Sequence, residues 1–121
     1  MVKARRELMV GAHWDPVFGP VVLVGDGGKY VEALPDAQVL LPPFNYVDAE
    51  RALERLRIWP LFAGVRGEPP MDVQAVCDLL VKVGHLANNA GLGLVSLDLN
   101  PVMVLDSGEG CVVVDGLVCL E

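Results

Sequence analysis

The C-terminal quarter leaves this chain little freedom in how it can fold. An apolar run ends in Asp98-Leu99-Asn100-Pro101, a Gly-bearing turn follows, and the run Cys111 to Leu120 returns with Asp115 as its only charge. Two such β-rich runs joined by Asp106-Ser107-Gly108-Glu109 predict an antiparallel hairpin. With Ser107-Gly108 as a two-residue loop, paired positions sum to a constant and Asn100 falls opposite Asp115. Opposite residues share a face, and Asp98 shares it too because alternate residues on a strand point the same way. Three oxygen-bearing side chains are therefore expected to converge, a set suited to a hard cation such as magnesium. A slip of one residue would send Asp115 to the other face. The returning run is apolar on both faces, so it is expected to be covered on both sides, with Asp115 at least partly buried and in need of a partner. Taken alone, Asp98 and Asn100 also fit turn chemistry before a proline, and Asp115 fits a carboxylate that accepts backbone hydrogen bonds.

A length of 121 residues is one domain's worth. Nine Lys and Arg against sixteen Asp and Glu give a net charge of −7. That charge argues against nucleic acid or an anionic membrane as the partner, though an acidic protein can still take a nucleotide through a metal. No apolar run approaches a membrane span, and Met1 to Glu7 lacks the hydrophobic segment of a signal peptide, so a cytoplasmic protein is expected. Cys77, Cys111 and Cys119 have neither metal-ligand spacing nor an even count. Cys111 and Cys119 are about 26 Å apart if both lie on one strand, too far to bridge, and all three are expected to be buried apolar fillers. The hydrophobic share of 53% is high for a small free-standing domain, so some apolar surface is expected to pack on something outside this chain.

Along the chain, Glu7 to Ala12 predicts a strand ending in a loop over His13 to Pro20, where two prolines and a glycine oppose regular pairing. Pro20 to Val24 and Tyr30 to Leu34 read as strands joined by a hairpin turn at Gly25-Asp26-Gly27-Gly28, and Gln38 to Leu41 as a further strand. Ala49, Ala52, Leu53 and Leu56 repeat at helical spacing after a cap at Asn45 or Asp48, with Pro60 as the stop. A second helix starts near Asp72, buries Val73, Val76, Cys77, Leu80, Val83 and Ala87, and ends at Gly91. Leu92 to Asn100 returns to strand. Strands, two helices and strands again predict an α+β fold, a mainly antiparallel sheet with the helices packed on one face.

Other constellations carry less chemistry. The glycines of Gly25-Asp26-Gly27-Gly28 could offer N–H groups to a phosphate, but a P-loop's strand-to-helix context and its Lys-Ser/Thr pair are missing, which leaves a hairpin turn as the plainer reading. Glu7 and Glu32 are isolated acids of the kind that usually face solvent. Arg66, between glycines ahead of a helix, suits either a phosphoryl contact or a surface pair with Glu68 or Asp72. His13 and His85 lack partners at metal spacing, and no Ser-His-Asp or Cys-His arrangement is present.

Five segments in order, Glu7-Leu8-Met9-Val10-Gly11, Asp15 to Val22, Gly25 to Glu32, Gly64 to Pro69 and Asp98-Leu99-Asn100-Pro101, resemble one family. This is the C-terminal half of the ATP-grasp domain of NDP-forming acyl-CoA synthetases, the group of ADP-forming acetyl-CoA synthetase and the succinyl-CoA synthetase β subunit. The resemblance covers almost the whole chain and turns Glu7, Asn100 and Asp115 from bland readings into functional ones. It implies that Glu7 is the acidic residue of the nucleotide pocket, that Asn100 and Asp115 are magnesium ligands, and that Asp98 is the neighbouring acid of the same motif. Gly27 and Gly28 match positions of backbone approach to the nucleotide, and Arg66 a position of phosphate contact.

The implied reaction joins a carboxylate and CoA at the expense of ATP, giving acyl-CoA, ADP and phosphate, with Mg2+ and ATP/ADP as cofactors. By the same resemblance, residues 1–121 form a partial ATP-grasp domain. The upstream lysine-bearing half, the CoA-binding domains and the phosphate-carrying histidine are expected to belong to the rest of the parent enzyme. Alone, the chain is then expected to be inactive and to pair as a homodimer through the apolar surface it exposes. Asp26 and Lys29 stand where the family is usually apolar, and His13-Trp14 where it is usually basic. These departures keep a second reading in play, the ligand-sensing acyl-CoA-synthetase-like region of a lysine acetyltransferase.

Overall fold

Leu8, Val10 and Ala12 alternate with Glu7, Met9 and Gly11, the period-two pattern of a strand with one covered face. In a computed structural model, which describes residues 6–27, 36–64 and 67–120, this run is the central strand β1 (Arg6–Asp15). It pairs antiparallel with β2 (Gly19–Asp26), and pairing continues as far as Trp14 with Pro20 and Asp15 with Gly19. The predicted loop over His13 to Pro20 therefore shrinks to residues 16–18. Pro16 falls outside the ladder, and Pro20 lies beyond the end of β3, where among the described residues no second neighbour needs its missing N–H. Asp15 closes the turn, its Oδ1 accepting from the N–H groups of Val17 (2.7 Å) and Phe18 (3.0 Å). Those two donors, Phe18 foremost, hold the Asp15 carboxyl below the ordinary range.

β2 does not turn at Gly25-Asp26 as the Asp-Gly signal suggests. Gly25 and Asp26 stay in the ladder opposite Met9 and Leu8, while Gly28 and the Tyr30 to Leu34 run lie outside the described residues. Gly25 is needed for a close approach, since a Cβ there would stand 2.7 Å from the Asp36 carbonyl oxygen. β3 (Ala37–Leu40) then pairs with β2.

α1 (Tyr46–Glu54) opens with a capping box, Asn45 accepting from the Asp48 N–H at 2.9 Å and Asp48 accepting from the Asn45 N–H at 3.0 Å. It ends five residues short of Pro60, and the buried Asp36 carboxylate accepts from Arg57 (2.8 Å) and Ile58 (3.1 Å) just beyond. Pro60 instead lies in the first turn of the short helix α2 (Trp59–Phe62), where a missing N–H costs nothing. α3 (Val73–Ala87) starts at its cap Asp72 as the periodicity predicts, but it ends at Asn88. Gly91 belongs to a following 3-10 turn (Ala90–Leu92), and Gly93 (φ 69°) takes the left-handed conformation that leads into β4 (Leu94–Val104). The predicted single returning strand is two, β5 (Cys111–Val113) and β6 (Gly116–Leu120), with Asp115 in the gap.

Among the described residues the sheet is six-stranded, in the order β3-β2-β1-β4-β5, with β6 also on β4 and every named pairing antiparallel. The helices cover one face. Leu8, Val10, Val22, Val24, Val102 and Val104 meet Leu53, Phe62, Val76 and Leu80 there, each essentially inaccessible and each stabilising the fold by about 1.5–3 kcal/mol. The α+β architecture is the expected one. No helix among the described residues is long and apolar enough to cross a membrane.

Candidate metal centre

Because Leu97 and Leu99 pack into the helix-covered core, Asp98 between them projects to the opposite, open face of the sheet. Glu7 reaches that face in the same way, from beside the buried Leu8 on β1. On the returning chain, Gly116 opposes Leu99 and Val113 opposes Val102, so Asp115 opposes Asn100. The Asn100 N–H donates to the Asp115 carbonyl at 3.2 Å, and the Val114 N–H donates to the Pro101 carbonyl at 3.1 Å. This is the register read from the Ser107-Gly108 turn, and the Glu109 N–H closes that turn on the Asp106 carbonyl at 2.8 Å.

β4 makes a bulge at this point. Between the pairs Leu8–Val102 and Val10–Leu99, β1 supplies Met9 alone and β4 supplies both Asn100 and Pro101. A bulge is where a strand tolerates a residue without an N–H, and it re-aims the side chains it carries. Asp98, Asn100 and Asp115 are all exposed. For Asp115 this corrects the expectation of partial burial. β6 lies at the sheet margin with every residue exposed, so its apolar composition does not reflect cover from the described residues. Asp115 Oδ1 accepts from the Gly116 N–H at 2.9 Å, which steadies the carboxylate and leaves its second oxygen for another partner.

Among the described residues no group of three or more His, Cys, Asp or Glu side chains is placed to hold a metal by itself. The local donor set is two carboxylates and one amide. All are oxygen donors on an open surface, which fits a hard cation that keeps water and phosphate oxygens as its other ligands.

Glu7 and Gly27 meet through the backbone, the Gly27 N–H donating to the Glu7 carbonyl at 3.0 Å. A Cβ on Gly27 would come within 3.0 Å of the Leu8 carbonyl carbon, so the close approach favours glycine. Asp26, out of place by the resemblance, is met by Arg6 in an ion pair of 3.0 Å. Gly28 and Arg66 lie outside the described residues. The cysteines are corrected in part: Cys77 is buried, Cys111 half-buried and Cys119 exposed. Two buried carboxylates, Asp36 and Asp72, act as anchors. The sequence marks Asp72 as a helix start, but its other contacts come from residues far along the chain.

A family model described as ATP-grasp domain matches residues 1–120. The β subunit of the ADP-forming acetate–CoA ligase II of Pyrococcus furiosus is 39% identical over all of this chain, which spans 51% of that subunit. Among solved structures, PH1788 from Pyrococcus horikoshii superposes with a TM-score of 0.91 at 37% identity, all of this chain covering 51% of that one. The dinucleotide-forming acetyl-coenzyme A synthetase 1 of Ca. Korarchaeum cryptofilum was solved with coenzyme A and Mg-AMPPCP, its phosphohistidine segment pointing towards the nucleotide binding site. It superposes with a TM-score of 0.88 at 33% identity, and this chain covers 55% of it.

Proposed function

From the premise that the chain belongs to the ATP-grasp domain family, we propose that it forms one wall of the nucleotide cleft of an ADP-forming acyl-CoA ligase. The chain spans about half the length of the acetate–CoA ligase subunit it matches, so the reading assigns the facing wall and the CoA-binding parts to the remainder of a larger enzyme. The observation that carries it is the open sheet face, where the pairing of β4 with the returning chain sets Asn100 opposite Asp115 with Asp98 beside them. Glu7 on β1 and Gly27 just past the end of β2 stand nearby, as an acidic contact and a place of close backbone approach for the nucleotide.

Asn100 and Asp115 would hold Mg2+, with Asp98 as its acidic neighbour. Bound there, the cation would neutralise charge on the polyphosphate. Arg66 is assigned to a phosphate contact and Gly28 to the backbone approach. The curated relative reported above is a ligase by name, which supports turnover over the sensing role of an acetyltransferase region.

In the intact enzyme, Asp115→Ala and Asn100→Ala should each lower ATP-dependent acyl-CoA formation by orders of magnitude while the fold persists, as expected for lost charge stabilisation worth several kcal/mol. Unchanged turnover with unchanged magnesium dependence in both variants would refute the assignment.

A further inference from the structure

The run that leads into Asp115, β5 and Val114, has no pattern to set its own register. Cys111, Val112, Val113 and Val114 are apolar in succession, so a slip of one place against β4 exchanges one apolar face for another. The remaining determinant is the turn. That turn is tied to the segment entering α3. The Ser107 N–H donates to the Pro70 carbonyl at 2.8 Å, and the Asp72 N–H donates to the Leu105 carbonyl at 2.9 Å. The buried Asp72 carboxylate does the rest: Oδ2 accepts from the N–H groups of Gly108 (3.1 Å) and Gly110 (2.8 Å), and Oδ1 accepts from Ala75 (3.1 Å) in the first turn of α3. Gly108 and Gly110 both have left-handed φ, 87° and 88°, a backbone shape that side-chain-bearing residues resist.

We propose that Asp72 is a positioning residue whose carboxylate locks the turn of residues 107–110 to α3 and thereby fixes Asp115 opposite Asn100. Its functional consequence rests on the metal reading above, whereas the lock itself does not. One oxygen serves the helix cap and the other serves the turn, so the two roles can be separated chemically. Asp72→Asn keeps a cap oxygen of comparable quality but sets an amide NH2 against the two turn N–H groups.

Hydrogen exchange by NMR on the chain reads the outcome. In D72N the amides of Asn100 and Val114 should exchange about tenfold faster or more, while those of β1 and β2 stay within about twofold of the unsubstituted chain. Line broadening by Mn2+, used in place of magnesium, should fade at Asn100 and Asp115 in the same variant. Gly110→Ala acts from the turn side. A Cβ there meets nothing within 4 Å, so its effect comes through the strained φ, and it should speed the same two amides. It also decides the matter if D72N fails to fold. Exchange at Asn100 and Val114 within about twofold of the parent, or acceleration shared equally by β1 and β2 as global destabilisation gives, would overturn the lock. Absence of Mn2+ broadening in the unsubstituted chain would overturn the metal reading, and with it the functional half of the proposal, while exchange decides the register half independently.

Discussion

Cys77 lies in the core on α3, and burial, reinforced by the Glu50 and Asp78 carboxylates, pushes its thiol up to about 12. Cys111 is also raised, chiefly by burial. A thiol reacts as its thiolate, so a raised value suppresses reactivity until the pH climbs towards it. Titration with a maleimide at pH 8 should therefore modify the exposed Cys119 rapidly, Cys111 more slowly and Cys77 only after unfolding. Labelling of Cys77 at the rate of Cys119 would contradict the packing of α3. The burial of Cys77 is legible in the helical periodicity of α3, whereas Cys111 and Cys119 sit in one apolar run and differ for a reason absent from the local sequence. The same holds for Asp115. Its partner Asn100 was legible from turn arithmetic, but its exposure was not, because exposure depends on what lies beyond the sheet margin.

Elements were legible where chemistry is local. The Asn45–Asp48 capping box, the apolar stripe of α3 and the Ser107-Gly108 turn announce themselves within a few residues. Asn45→Ala should cost about 1 kcal/mol, read as a lower denaturation midpoint at unchanged slope; a change below a few tenths of a kcal/mol would mean the cap is redundant. A local signal misleads where it meets a distant partner. Gly25-Asp26 resembles a hairpin turn, yet the Asp26 N–H donates to the Asp36 carbonyl at 2.9 Å and Gly25 is paired on both sides, so the strand runs on. Pro60 looks like a helix stop, but the fold uses it as a helix start. The bulge of β4 at Asn100-Pro101 was invisible because it exists only relative to β1.

At the scale of the whole molecule, one sheet face is covered by helices, and the sheet margin exposes Leu117 (66%), Val118 (53%) and Leu120 (56%) on β6. The high hydrophobic share led to this expectation, and the structure locates the surface. An uncharged edge strand offers unpaired backbone groups to another chain. The isolated chain should therefore self-associate in a light-scattering dilution series, with charges introduced at Leu117 and Val118 restoring the monomer. A monomer at high concentration would show that this edge is not adhesive. In the same preparation calorimetry should find Mg-ATP affinity weaker than micromolar, since on the proposed reading this chain supplies one wall of the cleft and positioning by one wall is incomplete.

The order of strands has a temporal consequence. β1 sits at the centre of the sheet, but its neighbours lie far apart in the sequence: Leu8 pairs with Asp26 on one side and with Val102 on the other. The β1–β2 hairpin closes a short loop, whereas the β1–β4 ladder must wait until β4, at Leu94–Val104, has been synthesised. Until then β1 presents a bare flank of unpaired backbone amides and carbonyls, and its core-facing side chains have only part of their final cover. Closure of this long loop is expected to govern how fast the chain matures, and a nascent chain stalled before Leu94 would be the form most open to chaperones and to mispairing.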